Sequence, residues 1–226
     1  GILALAWLFP TIAVSVFTLG LIPAAQRYYF EYRTDNKKLD AFIFSSQIFL
    51  YFSLIGSSFV VFFLKDYISK LVVGSDKYGL AIFVTFVAAY LGQIVNFYLL
   101  LYQNMERAVI YSTFTIMQAV ITAIVGLLLV WHFKMSYMGM IYGSLASAVI
   151  ICIVVSFYFN KNLKIKFNWE ILFENIKYGI QIVPKSFTGF INRFFDKYML
   201  NNMLSLSAVG VYNIGQTVGN AMFFLM

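Results

Sequence analysis

Residues Gly1–Gln26 carry no charge, and four more uncharged runs of membrane length follow: Ala41–Leu64, Tyr78–Met105, Ala108–Phe133 and Met135–Asn160. A helix needs about 20 residues to cross a bilayer, and each run is that long. A seventh stretch, Asn201–Met226, is again uncharged. Between them lies the exception, Tyr178–Leu200, which holds Lys185, Arg193, Asp196 and Lys197. Charge within a span is costly and tends to mark function. The seven stretches, taken as spans A to G, predict an all-α polytopic membrane protein.

Composition narrows the class further. Charged residues make up 11% of the chain, well below the roughly 25% of soluble domains. The runs lack the ten-residue alternation of barrel strands. One cysteine, Cys152, and one histidine, His132, argue against a disulfide framework, a zinc site or a Ser-His-Asp triad. No cofactor is expected, and no segment between spans is large enough for a catalytic domain, so the chain reads as a non-enzyme. The net charge of +7 points to anionic lipid surfaces rather than nucleic acid.

Loop charges orient the spans. Arg27, Arg33, Lys37, Lys38, Arg107, Lys161, Lys164, Lys166 and Lys177 fall on one side, against Lys65, Lys70, Lys77 and Lys134 on the other. The positive-inside rule places the first set in the cytoplasm. Span A is expected to bend, because it contains Pro10, Gly20 and Pro23. Residues 161–177 mix lysines with Phe167, Trp169, Ile171, Leu172, Phe173 and Ile176, a pattern that fits an interfacial amphipathic helix. In span E, Gly139, Gly143 and Ser147 recur every four residues and read as a packing stripe. A chain that opens at Gly1 and ends in an apolar run is expected to be an internal piece of a longer protein.

Polar residues form stripes at helical spacing. Gln93, Asn96 and Gln103 share a face of span C. Thr115, Gln118 and Thr122 share one in span D, and Asn213, Gln216 and Asn220 share one in span G. In span F, Gln181, Lys185, Thr188, Asn192 and Asp196 make one line, with Arg193 and Lys197 about 100° round from it. Lipid tails cannot satisfy such groups, so the stripes face each other or a wet cavity. Lys185 and Arg193 suit a solvated cavity and an anionic ligand, the guanidinium matching phosphate through its planar fork. A structural Arg193–Asp196 pair and snorkelling of Asp196 and Lys197 are the alternatives. Phosphate together with hydroxyl-rich groups in a membrane suggests a lipid-linked saccharide.

Two stretches carry a resemblance. Lys177-Tyr178-Gly179-Ile180-Gln181-Ile182-Val183-Pro184-Lys185-Ser186, Ile191-Asn192-Arg193-Phe194-Phe195-Asp196-Lys197-Tyr198-Met199-Leu200 and Ala208-Val209-Gly210-Val211-Tyr212 resemble the seventh and eighth helices of Wzx-type polysaccharide flippases of the MOP superfamily. Leu19-Gly20-Leu21 with Ala25-Gln26-Arg27-Tyr28-Tyr29-Phe30-Glu31-Tyr32 resembles the end of their second helix. Gln181 stands where the family often has proline, and Lys197 where it often has arginine.

The resemblance implies a two-lobed fold of twelve to fourteen helices. Residues 1–177 would be most of the first lobe with a cytoplasmic linker, and 178–226 the start of the second. The short echo of Gly1-Ile2-Leu3 in Gly210-Val211-Tyr212 fits a parallel repeat. The implied activity is flipping of undecaprenyl-pyrophosphate-linked oligosaccharide across the bacterial cytoplasmic membrane by alternating access. Arg193, Lys185, Asn192 and Arg27 would contact substrate; Asp196, Lys197 and Glu31 would couple or gate, with Arg27 closing on Glu31. Expected partners are the lipid-linked substrate, membrane lipids, H+ or Na+ as coupling ion, and polysaccharide assembly proteins. The rival readings are a multidrug antiporter of the same superfamily, which would want an acidic cavity; a membrane polysaccharide polymerase or ligase; and a structural membrane subunit.

Overall fold

The computed structural model describes residues 2–161, 163 and 166–223, excluding the side chains of residues 186, 187, 189–194, 206 and 220–223. Every regular element among them is helical: α1 (Ile2–Ala6), α2 (Leu8–Phe17), α3 (Leu21–Tyr32), α4 (Asn36–Val73), α5 (Gly79–Asn104), α6 (Ala108–Trp131), α7 (Ser136–Asn160), α8 (Trp169–Met203) and α9 (Leu206–Phe223), with a 3-10 turn at Asp76–Tyr78. Helices α4 to α7 are long and apolar enough to cross a membrane, and the broken run from α1 to α3 makes a fifth candidate. The chain is an all-α, multi-pass membrane protein.

The first span bends by 44°. Each break in the run falls just before a proline. Pro10 and Pro23 each occupy the third position of a new helix, because neither can donate an N–H to the carbonyl four residues back and carry the preceding helix through. The chain turns at Leu19 and Gly20, both at positive φ (49° and 64°). Helix α4 outruns its apolar segment. Its start is fixed by Asp35, whose carboxylate accepts the backbone N–H groups of Lys37 and Lys38, and its end by Gly74 at φ 87°. Thirty-eight residues make a rod about 57 Å long, nearly twice the hydrocarbon thickness. Lys65 and Lys70, expected in a loop, therefore lie on this helix.

Helix α5 is the core of the bundle. It packs against α2, α3, α4, α6 and α7, and it fully buries Phe86, Tyr90, Phe97 and Tyr98. Helices α6 and α7 meet through small residues. A Cβ on Gly143 would lie 2.7 Å from the Gly126 backbone, and one on Gly139 would lie 3.0 Å from the Val130 nitrogen. The stripe expected to pack does so.

The amphipathic stretch does not form a separate helix. Asn168 caps α8 by accepting the N–H groups of Glu170 and Ile171, and the helix then runs unbroken through residue 177 and Pro184 to Met203. The expected lobe boundary falls inside it. Of the apolar side chains in its first turns, Ile171 and Leu172 are buried against the bundle, whereas Trp169 and Phe173 are exposed. Among the described residues, helix α8 contacts α1 to α4 and α9 but not α5 to α7. It runs parallel to α4, and the two meet at both ends. The Asn168 N–H donates to Ser45 Oγ (2.8 Å) at one end, and Asn201 Nδ2 donates to the Val73 carbonyl (3.4 Å) at the other.

Candidate functional site

Helix α8 has two unlike faces. Asn175 and Gly179 are buried against the bundle with Ile171, and Lys197 lies on the same side of the helix. Gln181, Lys185, Thr188 and Asp196 lie on the far side, and all four are exposed. The four described members of the predicted polar line point away from the packed helices. The side chains of Asn192 and Arg193 lie outside the described residues. Lys197 is 6% exposed and donates to Asn213 Oδ1 at 2.7 Å, while Asp196 accepts the Tyr212 hydroxyl at 2.9 Å. These two contacts tie α9 to α8. The charges of this helix end are thus engaged by the next helix, a fact that residue spacing within α8 alone does not disclose.

At the basic end, α3 crosses α8 at a backbone-to-backbone contact between Gly20 and Gly179. A Cβ on Gly179 would lie 2.5 Å from the Leu19 carbonyl oxygen, so only glycine fits. Two turns along α3, the Arg27 guanidinium lies 4.5 Å from the centroid of the Tyr178 ring and 5.5 Å from that of Tyr28. Arg27 and Glu31 do approach (Nε–Oε2 3.8 Å), but both are on α3 and half exposed. A pair within one helix cannot by itself open or close a passage, and exposed pairs contribute little. The link across elements runs through Tyr178. It is reinforced by the Tyr32 hydroxyl donating to Glu174 Oε2 (3.0 Å) and the Tyr28 hydroxyl to the Glu174 carbonyl (3.3 Å). Sequence reasoning missed Tyr28, Tyr32, Glu174 and Tyr178, because residues this far apart in the chain share no periodic signal.

A third feature sits near the middle of the spans. The stripes of α5 and α6 converge on a cavity of about 390 Å³, walled also by α2 and α7. Its polar lining is Thr11, Gln93, Gln118, Thr122, Ser144 and Ser147, and no charged residue lines it among the described residues. The hydroxyls of Thr122 and Ser147 are 2.6 Å apart. Asn96 donates to Gln93 Oε1 at 3.3 Å along α5. Gln103 and Thr115 do not line this cavity. Thr11 and Ser144 were not singled out in the sequence; they are found only when four helices are assembled. The size falls in the usual range for small-molecule pockets. Such a lining can hydrogen-bond hydroxyl groups or water. Among the described residues, no cluster of three His, Cys, Asp or Glu could hold a metal ion.

A family model described as polysaccharide biosynthesis protein matches residues 1–224. The chain belongs to the polysaccharide biosynthesis protein family. No curated protein and no solved structure gave a significant match.

Proposed function

We propose that this member of the polysaccharide biosynthesis protein family acts in a transporter that flips a lipid-linked oligosaccharide, its pyrophosphate held by Lys185 and Arg193 on α8. One observation carries the reading. Gln181, Lys185, Thr188 and Asp196 form an exposed polar line on a helix that is otherwise anchored in an apolar bundle. Hydrocarbon cannot satisfy that line, so in the membrane it borders water or polar protein. A cationic group with flanking amide and hydroxyl side chains suits a diphosphate followed by sugar hydroxyls.

The proposed membrane is the bacterial cytoplasmic one, with the basic end of the bundle inside. Substrate would enter at that end, past Arg27 and Tyr178. Rocking of α8 with its neighbours would expose the polar line to one side and then the other. Asp196, held by the Tyr212 hydroxyl, is the carboxylate best placed on this line to respond to H+ or Na+. The role is transport rather than catalysis.

Glycan export in cells lacking their own flippase tests this, using the full-length protein. Arg193→Ala and Lys185→Ala should each abolish export while the protein stays abundant in the membrane. If replacing both Arg193 and Asp196 with apolar residues leaves export normal, Arg193 has no part in substrate binding.

A further inference from the structure

We propose that the basic end of the bundle carries a seat for one anionic phospholipid, separate from the α8 face. It is built from two adjoining hollows that share Lys161. The first, about 390 Å³, lies where α4 begins, α5 turns into α6 and α7 ends. Arg107, Lys161 and Asp40 line it over an aromatic wall of Tyr102, Tyr158 and Phe159. The turn fixes Arg107 in place: Glu106 stands at φ 59°, and the Arg107 N–H donates to the Tyr102 carbonyl at 2.9 Å. Tyr102 anchors the wall: it is buried, and its ring lies 5.2 Å from Phe159 and 6.4 Å from Tyr158. Neither Arg107 nor Lys161 forms an ion pair among the described residues. Two cations against one carboxylate leave this hollow net positive.

The second hollow is larger, about 620 Å³, and starts at the same Lys161. It follows one stripe of α7 through Phe157, Ile153 and Val149, with Leu91 of α5 opposite and Tyr51 and Ser156 among its lining residues. Its wall is almost wholly apolar. From Lys161 to Val149 the helix rises about 18 Å, close to the roughly 15 Å depth of one leaflet's hydrocarbon. A positive pocket at headgroup level that opens into an apolar groove one leaflet deep matches one molecule: a lipid with a phosphate head and an acyl chain. Basic pockets between membrane helices are known to hold anionic headgroups.

Native mass spectrometry of the purified full-length protein tests the seat, with phosphatidylglycerol and phosphatidylethanolamine supplied in equal amounts. Retained phosphatidylglycerol should exceed phosphatidylethanolamine. Arg107→Gln with Lys161→Gln should lower it at least about tenfold, as expected for loss of charged hydrogen bonds to phosphate. Lys65→Gln with Lys70→Gln, at the opposite end, should leave it unchanged. Asp40→Asn should raise it, and Arg107→Lys should keep most of it, which separates lost charge from lost fold. Ile153→Trp, which fills the groove, should weaken retention with both cations intact. Equal retention by the Arg107/Lys161 double variant overturns the proposal. So does heat protection by inorganic pyrophosphate alone that matches the lipid's, because the acyl groove would then play no part. Neither result bears on Arg193 or Lys185.

Discussion

Gly179 offers the sharpest test of how α8 is held. In Gly179→Ala, the added Cβ would lie 2.5 Å from the Leu19 carbonyl oxygen, 2.7 Å from the Gly20 oxygen and 2.8 Å from the Gly20 carbon. All three are backbone atoms of a turn at positive φ, so no side chain can swing aside. Relief requires α3 and α8 to part by about 1 Å, and overpacking of this kind costs about 1–3 kcal/mol. The parting also loosens the Arg27–Tyr178 stack and the Tyr28 and Tyr32 bonds to Glu174 next to it. Alanine offsets part of this cost through helix propensity, by up to about 1 kcal/mol. Gly56→Ala supplies the control: it lies within α4, and a Cβ there meets nothing within 4 Å. The difference between the two variants isolates the steric cost. For a chain of this size, 1–3 kcal/mol corresponds to about 2–12 °C in apparent melting temperature. Both variants should be scanned in the same detergent at one heating rate, because membrane proteins of this kind unfold irreversibly. Trypsin cleavage after Lys177 should also quicken in Gly179→Ala alone. Identical melting and cleavage in the two variants would refute the close crossing of α3 and α8.

Other consequences can be measured separately. Tyr32→Phe removes one hydrogen bond to a carboxylate and should cost about 1.5–3 kcal/mol, read as a lower melting temperature, with Glu174→Gln giving a smaller loss. Lys197→Met with Asn213→Leu should cost less than the sum of the two single changes, because Lys197→Met alone strands a half-buried amide; double-mutant melting gives the coupling. A cysteine at Lys166 should be labelled by an impermeant reagent only after the membrane is opened, and one at Lys77 from the outside. The reverse pattern would invert the orientation assigned from loop charge.

The long apolar runs were legible because the bilayer demands a fixed length and internally paired backbone. Helix α6 starts at Ala108 and α7 ends at Asn160, where the uncharged runs do. Charge, however, marks the end of a span and not of a helix. Lys65 and Lys70 stop the apolar run of α4, yet the backbone continues to Val73, since beyond the membrane a charged helix is well solvated. The same confusion split α8 in two on paper. Proline was a sound guide: the run breaks just before Pro10 and again just before Pro23, with Gly20 at the second break. In the candidate site, the line Gln181, Lys185, Thr188 and Asp196 follows from the 3.6-residue period alone. What covers Lys197, what Arg27 touches and which stripes meet in the central cavity are set by tertiary packing. No local spacing encodes Tyr178 lying beneath Arg27.

The two contacts between α4 and α8 act as pins at opposite ends of a pair of parallel rods. Ser45 with Asn168 and Val73 with Asn201 leave α8 free to roll with α4 but not to swing away from it without breaking a pin. Movement of the polar face of α8 would then be geared to α4. A tilt of about 10° centred on the basic end would sweep the tip of a rod about 57 Å long through about 10 Å. The overhanging end of α4, with Lys65 and Lys70, would thus magnify a small motion at the Ser45 pin into a large displacement on the opposite surface of the membrane.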